Sequence, residues 1–250
     1  MITAVIPARL ASTRLPNKLL LDLEGKPVLQ RVWEQTCQAV SINRVCIATD
    51  SELILEQARG WGAEVMMTGT DCASGTDRIA SILEDIPGDC ILNVQGDEPF
   101  IQPSLLDGLV TLWQARQCDL VTAICRITDS DALFDRNLVK VVVAHSGRAL
   151  YFSRSAIPHI RDVEPQDWLS QHAYWSHIGV YGYSRAALSQ FPQLPPSVLE
   201  QREKLEQLRF LENDFSIYTL ETNYHPLGID TPADLEGARS RLRASNRCAG

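Results

Sequence analysis

The amino-acid sequence predicts an α/β fold with a mostly parallel central sheet flanked by helices, together with a smaller β-rich lobe. In the first half of the chain, short apolar runs alternate with segments of helical apolar spacing. Such strand–helix–strand units join parallel strands by right-handed crossovers, which place helices on both faces of the sheet. Further along, short alternating runs take over, a pattern typical of antiparallel strands.

Five apolar runs in the first half predict buried strands. They are 4–6, 44–49, 64–68, 90–94 and 119–127. Apolar residues at helical spacing predict helices between these strands. The helices are 27–40, 51–59, 77–86 and 103–116. We expect Pro7 to end the first strand, because proline cannot donate a hydrogen bond to a strand ladder.

The second half predicts fewer helices and more antiparallel pairing. A hairpin is expected from 139–144 and 149–153, followed by strands at 176–183 and 215–220 and a helix at 198–211. Residues 158–174 have no periodicity and are expected to form a loop or lid. A closing helix is predicted at 231–242, with Thr231 as its N-cap, before a frayed tail at 245–250.

Neither a repeat nor a linker interrupts this pattern, so we expect a single domain over residues 1–250. We expect the part at about 1–127 and 226–244 to carry the mostly parallel sheet, and the part at about 128–225 to form the smaller β-rich lobe. Residues 1–250 include 45% apolar and 22% charged residues, which is ordinary for a globular protein.

The net charge of −8 argues against non-specific nucleic-acid binding, which requires a basic face. Apolar runs are shorter than the roughly 18–20 residues of a membrane span, and no basic segment precedes the first strand. We therefore expect no membrane insertion and no signal peptide. The seven scattered cysteines contain no C-x-x-C pair, so we expect reduced core thiols in a cytosolic protein.

The loop after the first strand carries three cations, Arg9, Arg14 and Lys18, between small residues. Open α/β sheets bind ligands at this edge, where small residues let backbone N–H groups approach an anion. The pattern predicts a polyphosphate site, and a solvated surface loop is the alternative. The loop is neither a Walker loop nor G-x-G-x-x-G, which argues against a Rossmann dehydrogenase.

A polar turn, Gln95–Pro99, follows the fourth strand. We expect Asp97 at the carboxyl end of that strand, on the same edge as the cationic loop. Carboxylates opposite three cations suggest a metal-bridged polyphosphate, because magnesium binds one or two carboxylates together with phosphate oxygens. The alternative for Asp97 is a cap on the next helix.

With these features in place, the chain resembles the 3-deoxy-manno-octulosonate (Kdo) cytidylyltransferases, or CMP-Kdo synthetases, nearly end to end. The matching segments are I-P-A-R-L-A-S-T-R-L-P-N-K at 6–18, G-K-P at 25–27, A-T-D at 48–50, S-G-T-D-R at 74–78, N-V-Q-G-D-E-P at 93–99, N-L-V-K-V-V at 137–142, A-L-Y-F-S-R at 149–154, H-I-G-V-Y-G-Y at 177–183, L-E-Q-L-R at 205–209 and G-I-D-T-P-A-D-L-E at 228–236. Each is a weak signal, but their joint order and spacing are specific. CMP-sialic acid synthetases share the opening loop, whereas the segments from 149 to 209 favour the Kdo branch.

The resemblance implies a Rossmann-like fold of the nucleotide-diphospho-sugar transferase type and a nucleotidyltransferase reaction that requires Mg²⁺. CTP would give its CMP moiety to the anomeric hydroxyl of Kdo, forming CMP-Kdo and pyrophosphate for lipopolysaccharide biosynthesis. The resemblance also implies a nucleotide-binding core at about 1–127 and 226–244 and a sugar-binding and dimerisation lobe at about 128–225. It further implies a cytoplasmic homodimer, with residues 138–183 as the contact.

The resemblance also assigns roles to individual residues. Catalysis is implied for Arg9, Lys18 and Asp97, and magnesium binding for Asp97 and Asp230. Nucleotide binding is implied for Ala8, Arg9, Ser12, Arg14, Lys18 and Ser74. Sugar binding is implied for Arg78, Gln95, Arg154, His177, Tyr181, Glu206 and Gln207.

Structural roles stay open for several of these residues. Asp230 could cap the closing helix, Arg78 could be a helix-start charge, and Arg154 could form an interface ion pair. His177 could be a satisfied core histidine, while Glu206 and Gln207 could lie on a solvated helix face.

Two positions depart from the family pattern. Asn17 stands where glycine is usual, although asparagine tolerates left-handed backbone, and His159 stands where an aromatic residue is common. The substrate could also be another acidic ulosonate, such as 8-amino-Kdo or sialic acid, because one or two pocket residues decide that choice. A non-catalytic sugar-nucleotide-binding module would be expected to lose the acidic pair, yet Asp97 and Asp230 are both present.

Overall fold

A computed structural model of the chain describes residues 1–10 and 14–248, with side chains up to residue 245. The chain forms two compact units, which divide it at Asp107/Gly108 and at His225/Pro226. The first unit contains the N-terminal segment and the segment from Pro226 onward. The second unit is Gly108–His225.

The first unit has a parallel sheet of four strands in the order β3-β2-β1-β4. Their bounds are β1 Ile2–Ala8, β2 Arg44–Thr49, β3 Glu64–Met67 and β4 Cys90–Asn93. The interior of β1 is apolar and fully buried, as expected for a strand covered on both faces. The chain continues from β1 to β2 on one side, while β4 returns to its other side. That reversal of strand order is where open α/β sheets bind their ligands.

Pro7 does not end β1, contrary to the prediction. The parallel register with β2 continues through Pro7–Ala48 to Ala8–Thr49. On the other side, the register with β4 ends at Val5–Asn93. Proline is tolerated here because its missing N–H falls where β1 has a neighbour on one side only.

The helices of the first unit follow its strands along the chain. They are α1 Val28–Thr36, α2 Glu52–Gly60, α3 Gly75–Ser81 and α10 Pro232–Cys248, and α4 Pro103–Arg116 continues into the second unit. The hydroxyls of Ser51 and Ser74 accept hydrogen bonds from the third residue of α2 and α3. Short 3₁₀ helices lie at Lys18–Leu20 and Leu83–Asp85.

The boundaries of several predicted helices were wrong. α1 is shorter than predicted, α3 starts earlier, and α10 runs on to Cys248, where a frayed tail was expected.

The second unit has a mixed sheet built around β5 Leu120–Ile127. This strand pairs antiparallel with β8 Tyr174–Ser184 and parallel with β9 Ile217–Thr222. The predicted hairpin is present as β6 Lys140–Val143 and β7 Ala149–Ser153, and β6 also pairs with β8.

The helices of the second unit are short. They are α5 Ser130–Phe134, α6 Trp168–Gln171, α7 Arg185–Gln190, α8 Val198–Glu203 and α9 Gln207–Glu212. Two 3₁₀ helices lie at Pro165–Asp167 and Phe191–Gln193. The predicted helix 198–211 is thus two helices, because Lys204 has left-handed backbone with φ +56°.

The segment expected as a loop or lid carries its own apolar anchor. Trp168 is buried with Ile127, Leu133 and Tyr174 in one cluster, and its ring stacks on that of Tyr174. The Tyr174 hydroxyl donates to the Pro158 carbonyl at 2.7 Å. The segment is therefore packed against its own unit rather than free.

Among the described residues, no helix is both long and apolar enough to cross a membrane. The described cysteines are all free thiols. Cys46, Cys90, Cys118 and Cys125 are buried, whereas Cys37 is exposed, so the expectation of core thiols is wrong for Cys37.

Candidate active site

A cavity of about 390 Å³ opens at the carboxyl ends of β1 and β4 in the first unit. Pro7 and Ala8 come from the end of β1, and Gln95–Asp97 from the turn after β4. The predicted site residues that line it are Ala8, Arg9, Arg14, Lys18, Ser74, Arg78, Gln95, Asp97 and Asp230. Ser12 lies outside the described residues. The structure thus brings together residues from widely separated segments of the chain.

Lys18 joins the two predicted metal-binding carboxylates. Its Nζ lies 2.5 Å from Asp97 Oδ2 and 2.8 Å from Asp230 Oδ1, and its side chain is only 16% exposed. Burial alone would lower the pKa of Lys18, but the two carboxylates outweigh it, so the pKa is raised. Arg14 adds a second cation, with its Nη2 at 2.9 Å from Asp230 Oδ2.

A main-chain hydrogen bond joins the two segments that carry the carboxylates. The Ile229 N–H donates to the Asp97 carbonyl at 3.0 Å and so ties the Asp230 segment to the turn after β4. Gly96 allows that turn to approach β1, because a Cβ there would lie 3.2 Å from the Pro7 carbonyl oxygen.

The helix-capping alternatives for both aspartates are wrong. The start of α10 is capped by Thr231, whose Oγ1 accepts the Asp234 N–H, while Asp234 accepts the Thr231 N–H in return. Asp230 is left to face Lys18 and Arg14. α4 begins only at Pro103, too far along the chain for Asp97 to cap it.

Asn17 adopts the left-handed backbone anticipated at this departure from the family pattern, with φ +54° and ψ +27°. It directly precedes the 3₁₀ turn that starts at Lys18 and directs that side chain toward the aspartates. The tolerance of asparagine for this conformation therefore matters for the site.

The donor set can hold a divalent cation only with help from a ligand. Among the described residues, no group of three or more His, Cys, Asp and Glu side chains could hold a metal ion. Asp97 and Asp230 nevertheless converge on one cation, the Lys18 ammonium. Two carboxylate oxygens suit Mg²⁺ when phosphate oxygens and water complete its shell.

Ser74 and Arg78 line the cavity and also have structural partners. Ser74 is the N-cap of α3 and donates to Asp77 Oδ2 at 3.0 Å. Arg78 is buried, donates to Asp50 Oδ2 at 2.7 Å and contacts the Thr68 hydroxyl. Nucleotide binding by Ser74 and sugar binding by Arg78 stay predictions.

Arg154, in the second unit, is bound mainly to main-chain groups. Its Nε donates to the Glu203 carbonyl at 2.8 Å, and its backbone N–H donates to Glu203 Oε2 at 2.9 Å. The Glu203 carboxylate also accepts the Ser153 hydroxyl at 2.6 Å. The Arg154 carbonyl accepts from the fully buried ammonium of Lys140 at 2.7 Å. Arg154 therefore braces the end of α8, and its sugar-binding role stays a prediction.

His177 and Tyr181 lie together on one face of β8, with ring centroids 5.2 Å apart. His177 Nε2 lies 2.9 Å from the Thr122 hydroxyl. Burial lowers the pKa of His177 to about 3, so its imidazole is neutral at physiological pH. Burial, with smaller contributions from Tyr183 and Glu206, raises the pKa of Tyr181.

Glu206 and Gln207 follow the left-handed Lys204 and begin α9. Gln207 is 5% exposed, and its Nε2 has no hydrogen-bond partner among the described residues. A buried amide without a partner is rare in folded proteins and is consistent with a group that binds a ligand. The solvated-face alternative is therefore wrong for Gln207.

Sequence reasoning missed two residues that contact predicted sugar-binding residues of the second unit. Thr122 lies in the middle of an apolar strand, and Glu203 lies in an ordinary polar helix. Neither position carries a local signal, because their importance comes from partners about 50 residues away.

Comparison with known proteins identifies the family of the chain. A cytidylyltransferase family model matches residues 3–217. The "3-deoxy-manno-octulosonate cytidylyltransferase" of Porphyromonas gingivalis is 42% identical over 249 residues, with 97% of each chain covered. The protein of the same name from Syntrophotalea carbinolica is 45% identical over 246 residues, covering 97% of this chain and 98% of the relative.

A solved structure shares the whole fold. It is a CMP:2-keto-3-deoxy-manno-octonic acid synthetase complexed with CTP, with a TM-score of 0.92, 36% identity and coverage of 98% and 99% of the two chains. The predicted fold class, a Rossmann-like and mostly parallel sheet with a smaller β-rich lobe, is confirmed. The chain therefore belongs to the cytidylyltransferase family and, within it, to the 3-deoxy-manno-octulosonate cytidylyltransferases.

Proposed function

We propose that the protein transfers the CMP moiety of CTP to the anomeric hydroxyl of Kdo, giving CMP-Kdo and pyrophosphate. The observation that carries this proposal is the convergence of Lys18, Asp97 and Asp230 beside a cationic loop in one cavity. The names of the relatives and the CTP bound to the solved relative support the choice of substrates.

In the proposed reaction the anomeric oxygen attacks the α-phosphorus of CTP. A new P–O bond forms, the bond from the α-phosphorus to the bridging oxygen breaks, pyrophosphate leaves and the hydroxyl proton passes to water. Arg9, Arg14 and Lys18 hold the phosphate oxygens and offset the negative charge that grows on the departing pyrophosphate. Ala8, Ser12 and Ser74 contribute to nucleotide binding.

We propose Mg²⁺ as the cofactor, held by Asp97 and Asp230. The pairing of both carboxylates with the Lys18 ammonium supports this, because it demonstrates that they can share one cation. The ion would supply Lewis-acid stabilisation of phosphate charge when bound. Lys18 would then be released from the carboxylates to pair with phosphate.

The sugar is proposed to contact Arg78, Gln95, Arg154, His177, Tyr181, Glu206 and Gln207. The partnerless Nε2 of buried Gln207 supports a polar ligand in the second unit.

A cytoplasmic homodimer that supplies lipopolysaccharide assembly is a further part of the proposal. The proposed contact is residues 138–183, and light scattering would measure the dimer.

The function is tested by pyrophosphate release. Purified protein is given CTP, Mg²⁺ and one of Kdo, 8-amino-Kdo or N-acetylneuraminic acid. We expect release with Kdo, and a loss of about 100-fold or more in kcat/KM for Asp97→Asn and for Asp230→Asn. The exposed Asp85 lies outside the cavity lining, so Asp85→Asn is the matched control and should retain wild-type activity.

Other outcomes would redirect the proposal. Release with another sugar alone would keep the reaction and change the substrate. Tight CTP binding without release from any sugar would indicate a sugar-nucleotide-binding module instead.

A further inference from the structure

A β-bulge between β5 and β8 gives Thr122 of β5 a specific role. The β5–β8 register pairs Thr122 with Tyr181 and then Ala123 with Ile178, so Gly179 and Val180 are extra residues on β8. Such a bulge interrupts the ladder and leaves main-chain groups in need of other partners. The buried Thr122 hydroxyl meets this need, with Oγ1 at 3.1 Å from the Ile178 carbonyl oxygen and 2.8 Å from that of Val180.

The Thr122 hydroxyl has a single proton, and this determines which atom donates in its contact with His177 Nε2. Carbonyl oxygens only accept hydrogen bonds, and a hydroxyl has one proton to donate. That proton is therefore directed to Ile178 and Val180, and Thr122 Oγ1 presents a lone pair to His177 Nε2 at 2.9 Å. If Nε2 carried no proton, two acceptors would face each other, so the network assigns the proton to Nε2.

We propose that Thr122 is a positioning residue that holds His177 in its Nε2–H tautomer, so that Nδ1 accepts a hydrogen bond from a hydroxyl of the acidic sugar. This inference rests on the proposed function. The imidazole is also held by the Phe152 and Tyr181 rings, with centroids at 5.1 and 5.2 Å. Tyr183 and Glu206 are the other titratable groups of this cluster, through their influence on Tyr181. A ring that stays neutral acts as an acceptor, not as a strong base.

The first test reads the tautomer directly. In ¹⁵N-labelled full-length protein, long-range ¹H–¹⁵N correlation spectra identify the His177 ring by its absence in His177→Gln. We expect the Nε2–H pattern, unchanged between about pH 5 and pH 8. Thr122→Ser should keep this pattern and Thr122→Val should lose it. In the wild-type protein, either an Nδ1–H ring or a ring that titrates in this range would be enough to overturn the inference.

The second test separates the two substrates. We expect Thr122→Val to raise KM for Kdo about tenfold and to leave KM for CTP within about twofold, because one hydrogen bond of substrate positioning is lost. Thr122→Ser should restore the wild-type values. Thr36→Val is the matched control, because the buried Thr36 hydroxyl also donates to a main-chain carbonyl, that of Val32 at 2.8 Å, and Thr36 lies in α1 of the first unit.

The outcomes distinguish this inference from the proposed function. An equal rise of both KM values in Thr122→Val would mean a general structural effect and would overturn it. If none of the acidic sugars supported pyrophosphate release by the wild-type protein, the proposed function would fail. The acceptor role of His177 would fail with it, whichever tautomer the spectra gave. If wild-type protein were active and the ring carried its proton on Nδ1, only the positioning role would fail.

Discussion

At the scale of single residues, the cationic loop depends on an unusual backbone conformation. Asn17 lies at φ +54°, and Lys18, the next residue, reaches both Asp97 and Asp230. Left-handed backbone costs most residues roughly 1–2 kcal/mol, least for glycine and less for asparagine. The residue at position 17 thus influences where the Lys18 ammonium lies.

We therefore expect Asn17→Val to lower the free energy of unfolding by about 1 kcal/mol, because a β-branched residue is strained at positive φ. Asn17→Gly should match or slightly exceed wild type. The midpoint of urea unfolding measures both changes. Equal midpoints for the valine and glycine variants would mean that the loop does not require left-handed backbone at this position.

The site residues differ in how far the sequence around each of them indicated its place in the structure. Arg9, Arg14, Lys18 and Asp97 follow strand ends, so the α/β pattern was enough to expect them at one edge, and the structure places them in one cavity. The ion pair between Lys18 and Asp230 spans more than 200 residues and was not predicted. The family resemblance indicated Asp230 only as a magnesium ligand. The partners of Arg78 and Arg154 were not predictable, because they are main-chain carbonyls and a distant aspartate.

At the scale of elements, strands were predicted better than helices. β2, a short apolar run bounded by polar residues, has the predicted bounds, 44–49. α5 and α7 are each only five or six residues long, too short for helical periodicity to be visible, and were missed. The predicted helix at 198–211 rested on apolar residues at 198, 199, 205, 208 and 211. The chain turns at Lys204, in the polar stretch between them, and Glu203 contacts Ser153 and Arg154 there.

This break gives a prediction about glycine placement. Lys204→Gly should leave stability unchanged or raise it by about 0.5–1 kcal/mol, because glycine adopts φ +56° without steric cost. Gln201→Gly is the control within α8 and should cost up to about 1 kcal/mol. Thermal unfolding followed by circular dichroism measures both. A destabilised Lys204→Gly variant would indicate that the lysine side chain, not the backbone, matters there.

At the scale of the whole molecule, the acidic composition and the cationic site are separate properties. The net charge of −8 belongs to the full chain, whereas the cavity collects Arg9, Arg14 and Lys18 from one loop. Composition alone could exclude a general nucleic-acid binder but could not locate an anion site. The order of motifs along the chain supplied that location, because parallel strands end at one edge.

Stability of the whole chain should fall on acidification in two steps. The pKa of His177 is about 3 in the folded protein, below its ordinary value of 6.5, so the unfolded chain takes up a proton first. Stability is then full above about pH 6.5 and falls by about 1.4 kcal/mol per pH unit below it. Hydrogen bonds from Arg44 and Thr231 lower the pKa values of Glu64 and Asp234, whose contributions are lost only at more acidic pH.

The variant His177→Gln isolates the first step. Between pH 6.5 and pH 5, wild-type protein should lose about 2 kcal/mol more unfolding free energy than the variant, while both should weaken similarly below about pH 4. Urea unfolding at a series of pH values measures this difference. Parallel pH profiles for the two proteins would mean that His177 has the same pKa in the folded and unfolded chains, and the neutral acceptor assigned to its ring would then be wrong.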